Sequence, residues 1–194
     1  MKSRKQHNKQ STTSGQIRII GGKYRSRKLK VLDVEGLRPT TDRVKETVFN
    51  WLMPYTSNAN VLDCFAGSGG LGFEALSRYA KQVHFIELNT QAHKQILQNI
   101  SELKADNCEV LLGDSLELLP NLNQKFDLVF IDPPFNFGLA NKTCEIIANS
   151  NLLAQDAVIY LETERNLESL TLPSAWQIIK QKDFGQVTSY LIQT

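Results

Sequence analysis

Four acidic residues each follow a short apolar run that has the composition of a β-strand. They are Asp63 after Val61-Leu62, Glu87 at the end of Val83–Glu87, Asp114 after Leu111-Leu112-Gly113, and Asp132 after Phe126–Ile131. In open α/β sheets, ligands bind beyond the carboxyl ends of the strands. The spacing therefore predicts a carboxylate-lined crevice, suited to cationic groups, hydroxyls and amino groups.

The first acid precedes a glycine-rich loop in which Gly67, Gly69 and Gly72 satisfy the pattern G-x-G-x-x-G. Glycines permit a tight turn and let a ligand approach the backbone in front of a helix N-terminus. The pattern alone also suits any sharp strand-to-helix turn, so both interpretations stay open. An acid at position 63 would repel a dinucleotide pyrophosphate. It favours a cofactor with a cationic end, such as the sulfonium and ammonium of S-adenosylmethionine.

Glu87 and Asp114 extend the same hypothesis. Glu87 follows Gly67 by 20 residues, the spacing at which an acid reaches ribose hydroxyls, and the preceding glycine loop favours this role over that of an exposed strand-end carboxylate. Asp114 could accept a hydrogen bond from an adenine amino group. It could equally cap a short helix over Ser115–Leu119, and the two roles are compatible.

The motif Asp132-Pro133-Pro134-Phe135 directly follows an apolar strand. Two prolines end a strand, which explains them structurally but does not explain the acid and the aromatic ring beside them. The Asp132 carboxylate and the Pro133 carbonyl can hold one exocyclic NH₂ group, and Phe135 can stack on the base. Positioning would supply most of the catalysis, because a sulfonium methyl group is already activated.

In this order, the four elements resemble class I S-adenosylmethionine-dependent methyltransferases that modify exocyclic or amide nitrogens. Upstream, RIIGGKYRSRKL at residues 18–29 and LRPTTDRVKETVFNWL at residues 37–52 resemble the RsmD family. That family methylates N2 of one guanine, guanine 966 in the usual numbering, in bacterial 16S ribosomal RNA. The resemblance runs from about Arg18 to the C-terminus.

The resemblance implies a role for each matching position. It implies cofactor binding by Asp63, Phe65, Ala66, Gly67, Gly69, Glu87, Leu88, Asp114 and Ser115, and catalytic binding of the base by Asp132, Pro133, Pro134 and Phe135. Arg38, Thr40, Thr41 and Arg43 belong to its Arg-Pro-Thr signature and should line the mouth of the site. The expected substrate is 16S rRNA within the small subunit or a late assembly particle, modified by a monomer.

Charge is divided unevenly along the 194 residues, although the net charge is only +2. Residues 1–30 hold ten basic and no acidic residues, which leaves 12 basic and 20 acidic ones for the rest. Such asymmetry indicates a polyanionic partner. We expect RNA phosphates to contact Arg18, Lys23, Arg25, Arg27, Lys28, Arg38 and Arg43. Deleting residues 1–30 should then remove most of the salt dependence of RNA binding.

The elements that must position these residues alternate from Asn60 onward, strand and then helix, which predicts an α/β fold with a mostly parallel sheet. With the resemblance, this becomes a Rossmann-like class I methyltransferase fold of seven strands with an antiparallel C-terminal hairpin at one edge. The expected organisation is a disordered basic tail at 1–16, a basic β-hairpin extension at 17–36 and the methyltransferase domain at 37–194. A helix should begin at Thr41 or Asp42 and end near Pro54, and Gly21-Gly22 should form the turn of the N-terminal hairpin. We also expect a helix over Thr90–Leu103, a short helix from Ser115 that Pro120 stops, and a strand over Ala157–Leu161.

Composition excludes several other classes. Apolar runs are shorter than the roughly 18–20 residues of a membrane span, and polar residues follow the basic N-terminus where a secretory signal would be apolar. Three scattered cysteines favour buried thiols in a cytoplasmic protein, and the three histidines have no metal-ligand spacing, so we expect no metal. Adenine N6 or protein glutamine methylation, a nicotinamide dehydrogenase and a non-catalytic rRNA-binding assembly factor remain alternatives.

Overall fold

The computed structural model describes residues 15–32, 42–165 and 170–194. Within these ranges the chain forms nine strands and five α-helices. The strands are β1 (Gly15–Arg18), β2 (Lys28–Val31), β3 (Asn60–Asp63), β4 (Gln82–Glu87), β5 (Cys108–Leu112), β6 (Phe126–Ile131), β7 (Leu153–Glu164), β8 (Gln177–Phe184) and β9 (Val187–Gln193). The helices are α1 (Asp42–Thr56), α2 (Gly70–Ser77), α3 (Thr90–Leu103), α4 (Ser115–Leu118) and α5 (Leu139–Asn149), and a 3₁₀ turn spans Leu119–Asn121. None of the helices described is long and apolar enough to cross a membrane.

Strands β3 to β9 form one sheet in the order β5-β4-β3-β6-β7-β9-β8. The neighbouring strands from β5 to β7 in this order run parallel to one another. β9 pairs antiparallel with both β7 and β8. This confirms the predicted α/β class, with seven strands and an antiparallel C-terminal hairpin at one edge. The chain order reverses beside β3, which is the point in such sheets where a ligand crevice opens.

Both faces of the sheet are covered because alternate residues of its central strands point to opposite sides. Leu128 and Phe130 of β6 pack toward α1, α2, α3 and the first two strands. Val129 and Ile131 pack toward α5 and the 3₁₀ turn. The apolar composition of β6 is therefore that of a strand buried on both faces, as predicted.

Two α-helices end close to the prolines that were expected to stop them, although helical turns include both prolines. α1 continues past Pro54 to Thr56, because a proline near the C-terminus removes one backbone hydrogen bond and the Thr56 hydroxyl donates to the Leu52 carbonyl 2.8 Å away. Pro120 lies at the start of the 3₁₀ turn that continues α4. At that position an N–H would have no intrahelical acceptor, so proline does not interrupt the chain.

Strand β7 is much longer than the segment 157–161 predicted from its apolar residues. It begins at Leu153, and its pairing with β6 shifts register before Val158. Asp156 lies in this irregular stretch with a φ of 57°. The polar residues that made this segment resemble a loop are thus the exposed part of a bulged strand.

The N-terminal hairpin, which we define as residues 15–32, packs against the main domain. β1 pairs antiparallel with β2. The strands are joined by residues 19–27, so Gly21-Gly22 is part of a longer connection and not the tight turn we predicted. β1 begins at Gly15, two residues inside the predicted tail, because Gly15 and Gln16 pair with Val31 and Lys30.

The side chains of this hairpin join the core of the main domain. Ile17, Ile19 and Leu29 are buried among residues of α2 and the sheet. The Glu74 carboxylate, fully buried in α2, accepts from the backbone N–H groups of Ile20 and Gly21, both at 2.9 Å. A deletion of residues 1–30 would therefore remove part of the core as well as the basic charge.

Candidate active site

The sheet order brings the acids that end adjacent strands to one edge. Asp63 ends β3, which lies between β4 and β6. Its register partners are Phe85 on β4 and Phe130 on β6, so Glu87 and Asp132 each lie two positions further along. The next strand adds a fourth acid, because Ile131 pairs with Leu161 and places Glu162 beside Asp132. We call Asp63, Glu87, Asp132 and Glu162 the carboxylate row.

The glycine loop has a backbone that other residues would strain. Gly69 caps α2 with a φ of 76°, and its N–H donates to the Ala66 carbonyl at 2.6 Å. Gly72 serves a different purpose, since an added Cβ would lie 2.2 Å from the Phe85 ring. The pattern therefore allows a left-handed turn at one glycine and close helix-to-sheet packing at another.

Glu87 organises this loop through its carboxylate. One oxygen accepts from the N–H of Gly67 at 2.6 Å and the other from the N–H of Asn89 at 2.7 Å. Burial raises the pKa of Glu87, and the two backbone hydrogen bonds oppose that shift. The interpretation as an exposed strand-end carboxylate is wrong, because only 8% of Glu87 is exposed.

Asp63 is almost fully buried beneath the loop. Its carboxylate accepts from the N–H of Gly72 at 3.1 Å. Burial raises its pKa to about 7, and the negative charge of Glu87 contributes in the same direction. The raised pKa means that neighbouring groups do not offset the cost of burying a negative charge. A nearby cation would stabilise the ionised form of Asp63.

Asp114 caps α4, as one of its two predicted roles required. Its side chain accepts from the N–H of Leu116 at 2.8 Å, which leaves the proposed contact with adenine as a prediction. The next residue, Ser115, is buried, and its hydroxyl donates to the Cys64 carbonyl. Ser115 thus ties the end of β5 to the glycine loop.

Asp132 shares a hydrogen bond with Glu162, which the sequence analysis did not single out. Glu162 is 5% exposed and also accepts from the Tyr160 hydroxyl, which lies 3.0 Å from the Ser189 hydroxyl. Burial and the Glu162 charge raise the pKa of Asp132 well above its usual range. The sequence signal was present, because Glu162 ends an apolar run, but only the sheet order makes it Asp132's neighbour.

The three motif residues that follow Asp132 differ in their exposure to solvent. Pro133 is buried, Phe135 is partly buried, and Pro134 is exposed. The backbone N–H of Asn136 donates to the Glu164 carboxylate and ties the segment after Phe135 to β7. A partly accessible aromatic ring therefore lies three residues after Asp132, between that acid and the Asn136–Glu164 contact.

The remaining predicted cofactor contacts surround the same loop. Phe65 is partly buried and Ala66 is buried, whereas Leu88 is 68% exposed at the end of β4. A small cleft beside the loop is lined by Gly67 and Ser68 and also by Val31 and Leu32 of the N-terminal hairpin. No pattern in the sequence indicated that this hairpin would reach the loop. The described residues contain no His, Cys, Asp and Glu cluster able to hold a metal ion.

The predicted RNA-binding cations are spread along the hairpin and α1. Arg18 forms an ion pair with Asp42 at 2.6 Å. Arg27 donates to the Glu102 carbonyl at the end of α3, while Arg25, Lys28 and Arg43 are exposed. Arg38, Thr40 and Thr41 lie outside the described residues. Arg18 and Lys28 are cross-strand partners in β1 and β2, and the ion pair of Arg18 with Asp42 brings the start of α1 beside them.

Comparisons with known proteins agree with this architecture. The family model described as "Conserved hypothetical protein 95" matches residues 17–193. The Escherichia coli (strain K12) protein named "Ribosomal RNA small subunit methyltransferase D" is 47% identical over 180 residues, covering 93% of this chain and 91% of the relative. Its Haemophilus influenzae namesake is 49% identical, covering 92% and 94%.

A solved structure extends the similarity to three dimensions. The Escherichia coli protein yhhF has a TM-score of 0.86 and 44% identity, with coverage of 92% of this chain and 98% of that chain. The range that the family model matches includes residues 17–32 of the N-terminal hairpin, the glycine loop and the Asp132 motif. The chain therefore belongs to the Conserved hypothetical protein 95 family, the RsmD family that its motifs resemble.

Proposed function

We propose that this protein methylates the exocyclic N2 of one guanine in 16S rRNA, the guanine numbered 966 in the usual scheme. The names of its relatives support a ribosomal RNA of the small subunit as the substrate. The observation that carries the proposal is the carboxylate row itself, in which Asp132, the first residue of the Asp-Pro-Pro-Phe motif, lies at the edge where such sheets bind ligands.

The residues at the glycine loop fit S-adenosylmethionine. This cofactor supplies a methyl group that is already activated on a cationic sulfonium. Asp63 would compensate the cationic end, since its buried carboxylate has a raised pKa. Glu87 would accept from the ribose hydroxyls, because a carboxylate oxygen that receives one backbone N–H can still accept another hydrogen bond. Leu88 would offer an exposed apolar surface to the adenine.

The target guanine would leave its stack and enter between Asp132 and Phe135. Phe135 would stack on the base. The Asp132 carboxyl and the Pro133 carbonyl would accept the two N2–H groups and turn the nitrogen lone pair toward the methyl group. These residues contribute geometry above all, because a conjugated amino group is a weak nucleophile in any other orientation.

The Asp132–Glu162 pair would also receive the proton that N2 loses when the N–C bond forms. The two carboxyl groups are hydrogen-bonded, and the Glu162 charge raises the pKa of Asp132. A higher pKa makes a carboxylate a better proton acceptor. Glu162 acts through Asp132 and is therefore a positioning residue.

Substituting Asp132 tests the proposal. Asp132→Ala should lower kcat for methyl transfer to small subunits on the order of 100-fold or more, because it removes both an acceptor and the base. Binding of S-adenosylmethionine, measured by calorimetry, and binding of RNA should remain. Asp127→Ala, near the start of the strand that Asp132 directly follows, is the matched control for activity. Full activity of Asp132→Ala would contradict the proposal.

A further inference from the structure

A second cleft of about 210 Å³ opens at the opposite edge of the sheet from the carboxylate row. Its walls come from the segments that precede β3, β4 and β5 and from the connection between β1 and β2. We call it the amino-edge cleft, and its polar and aromatic lining consists of Lys23, Tyr24, Asn58, Tyr79, Lys81 and Asn107. The six residues of β4 separate the two edges by about 20 Å.

Tyr79 adopts a conformation in this cleft that its side chain does not explain. It follows the last turn of α2 with a φ of 67°, a left-handed position that glycine or asparagine ordinarily occupies. The backbone has a reason to be there, because the Tyr79 carbonyl accepts from the N–H of Asn58 at 2.9 Å. A glycine at position 79 would adopt the same backbone conformation, and accept the same hydrogen bond, without strain. The ring is 62% exposed, so burial does not compensate for the strain.

Two lysines line the cleft together with this ring, and backbone hydrogen bonds anchor both of them. The N–H of Lys23 donates to the Ser77 carbonyl at 2.6 Å, and its ammonium lies 4.9 Å from the centre of the Tyr24 ring. The N–H of Lys81 donates to the Ala59 carbonyl at 2.8 Å. Asn107 fixes the same turn, since its amide donates to the carbonyls of Ala80 and Lys81. Asp106 is an acidic neighbour of Lys23.

We infer that the amino-edge cleft binds an unpaired nucleotide of the RNA substrate, with its base on Tyr79 and its phosphate between Lys23 and Lys81. An exposed aromatic ring between cations is the arrangement by which proteins hold single-stranded nucleic acid. The inference rests on the proposed function for the presence of an RNA substrate. It adds a second contact, about 20 Å from the methylated base, that would fix the register of the RNA.

Tyr79→Gly separates binding from stability, because it removes the ring and relieves the backbone strain. It should melt at the same temperature as the wild type or higher. Its affinity for a short unstructured RNA, measured by fluorescence anisotropy, should fall about tenfold. Tyr79→Phe keeps the ring and should bind the RNA as the wild type does. Wild-type affinity in Tyr79→Gly would overturn the inference.

Lys81→Gln provides an independent measurement. It should reduce the slope of log K against log[salt] by about 0.7, the contribution of one single-strand phosphate. Lys142→Gln, on α5 at the other face of the sheet, is the matched control and should leave the slope unchanged. An unchanged slope in Lys81→Gln would overturn the phosphate contact.

Free adenosine monophosphate distinguishes a strand-binding site from a small-nucleotide site. Saturation of the cleft by this nucleotide, with RNA affinity unaffected by any cleft variant, would overturn the inference in favour of a mononucleotide ligand. These binding assays contain no methyl transfer step. Failure of the proposed function would instead appear as absence of methylation, whatever the cleft variants show.

Discussion

At the scale of single residues, the buried Asp63 carboxylate lowers the stability of the folded protein when it is ionised. Its pKa is about 7 in the folded protein and 3.8 ordinarily, so the native state retains a proton that the unfolded chain loses as the pH rises through this interval. Stability therefore falls between about pH 4 and pH 7, and the full cost of the charge is present above pH 7. Such a cost suggests that the group is retained for a ligand.

Asp63→Asn should accordingly stabilise the cofactor-free protein at pH 8 by on the order of 2–4 kcal/mol and have little effect at pH 4. Asparagine can still accept from the Gly72 N–H. Urea denaturation at the two pH values measures the difference, and calorimetry should show weaker binding of S-adenosylmethionine. Equal stability changes at both pH values would show that the charge of Asp63 is not the cause.

Burial and the Glu162 charge raise the pKa of Asp132, so the contribution of Glu162 can be measured in a pH profile of activity. Because the Glu162 charge raises the pKa of Asp132, Glu162→Gln should move the acidic limb of the profile of kcat for methyl transfer to lower pH, by about one unit. At high pH the weaker base should also lower kcat. Glu145→Gln, exposed on α5, is the control. An unshifted profile with reduced kcat would indicate that Glu162 is merely structural.

At the scale of elements, the N-terminal hairpin and α2 form one packed unit at Gly22. An added Cβ there would lie 1.8 Å from the Ser77 carbonyl oxygen, and the residue has a φ of 75°. Gly22→Ala should therefore lower the free energy of unfolding by about 2–4 kcal/mol.

Gly185→Ala is the matched comparison for this contact. Gly185 has a φ of 64° in the β8–β9 turn, and an added Cβ would meet nothing within 4 Å. Gly185→Ala should lower the free energy of unfolding by about 1 kcal/mol, the cost of the backbone conformation alone. Urea denaturation of both variants measures the two losses in the free energy of unfolding. Similar losses would mean that the contact between Gly22 and Ser77 adds nothing.

Elements with strong local signals could be predicted from the sequence. The bounds of α3 and β6 match the prediction, because the first has a periodic apolar face and the second is apolar throughout. The ends of α1 and α4 lie within two residues of Pro54 and Pro120, as predicted, because a proline cannot supply the N–H that further helical turns require. Glu162 and Glu74 were missed because their partners come from distant segments, which the sheet order and the packing of the hairpin bring together.

At the scale of the whole molecule, the division of charge is partly structural. The basic residues of the N-terminal hairpin alternate with buried ones in β2, where Lys28 and Lys30 are exposed and Leu29 and Val31 are buried. The segment thus packs against the acidic domain through its apolar residues and presents its cations outward. Deleting the hairpin would remove its packing and its charge together. Substituting only its basic residues tests the charge by itself.

The triple variant Arg25→Gln, Lys28→Gln, Lys30→Gln should keep the core intact and weaken RNA binding in proportion to charge. The slope of log K against log[salt] should become shallower by about 2–3 if all three cations contact phosphates. A triple variant at Lys94, Lys142 and Lys180 removes the same charge elsewhere and should change the slope less. Equal effects of the two variants would indicate that net charge, and not this surface, attracts the RNA.

The central claim concerns the atom that receives the methyl group. The most direct test is transfer of labelled methyl from S-adenosylmethionine to unmethylated small ribosomal subunits, followed by mapping of the modified nucleotide. Our account predicts label on N2 of a single guanine of 16S rRNA, at the position numbered 966, and loss of that label with Asp132→Ala. Label on adenine N6 or on a protein glutamine, or none with the wild-type chain, would contradict it.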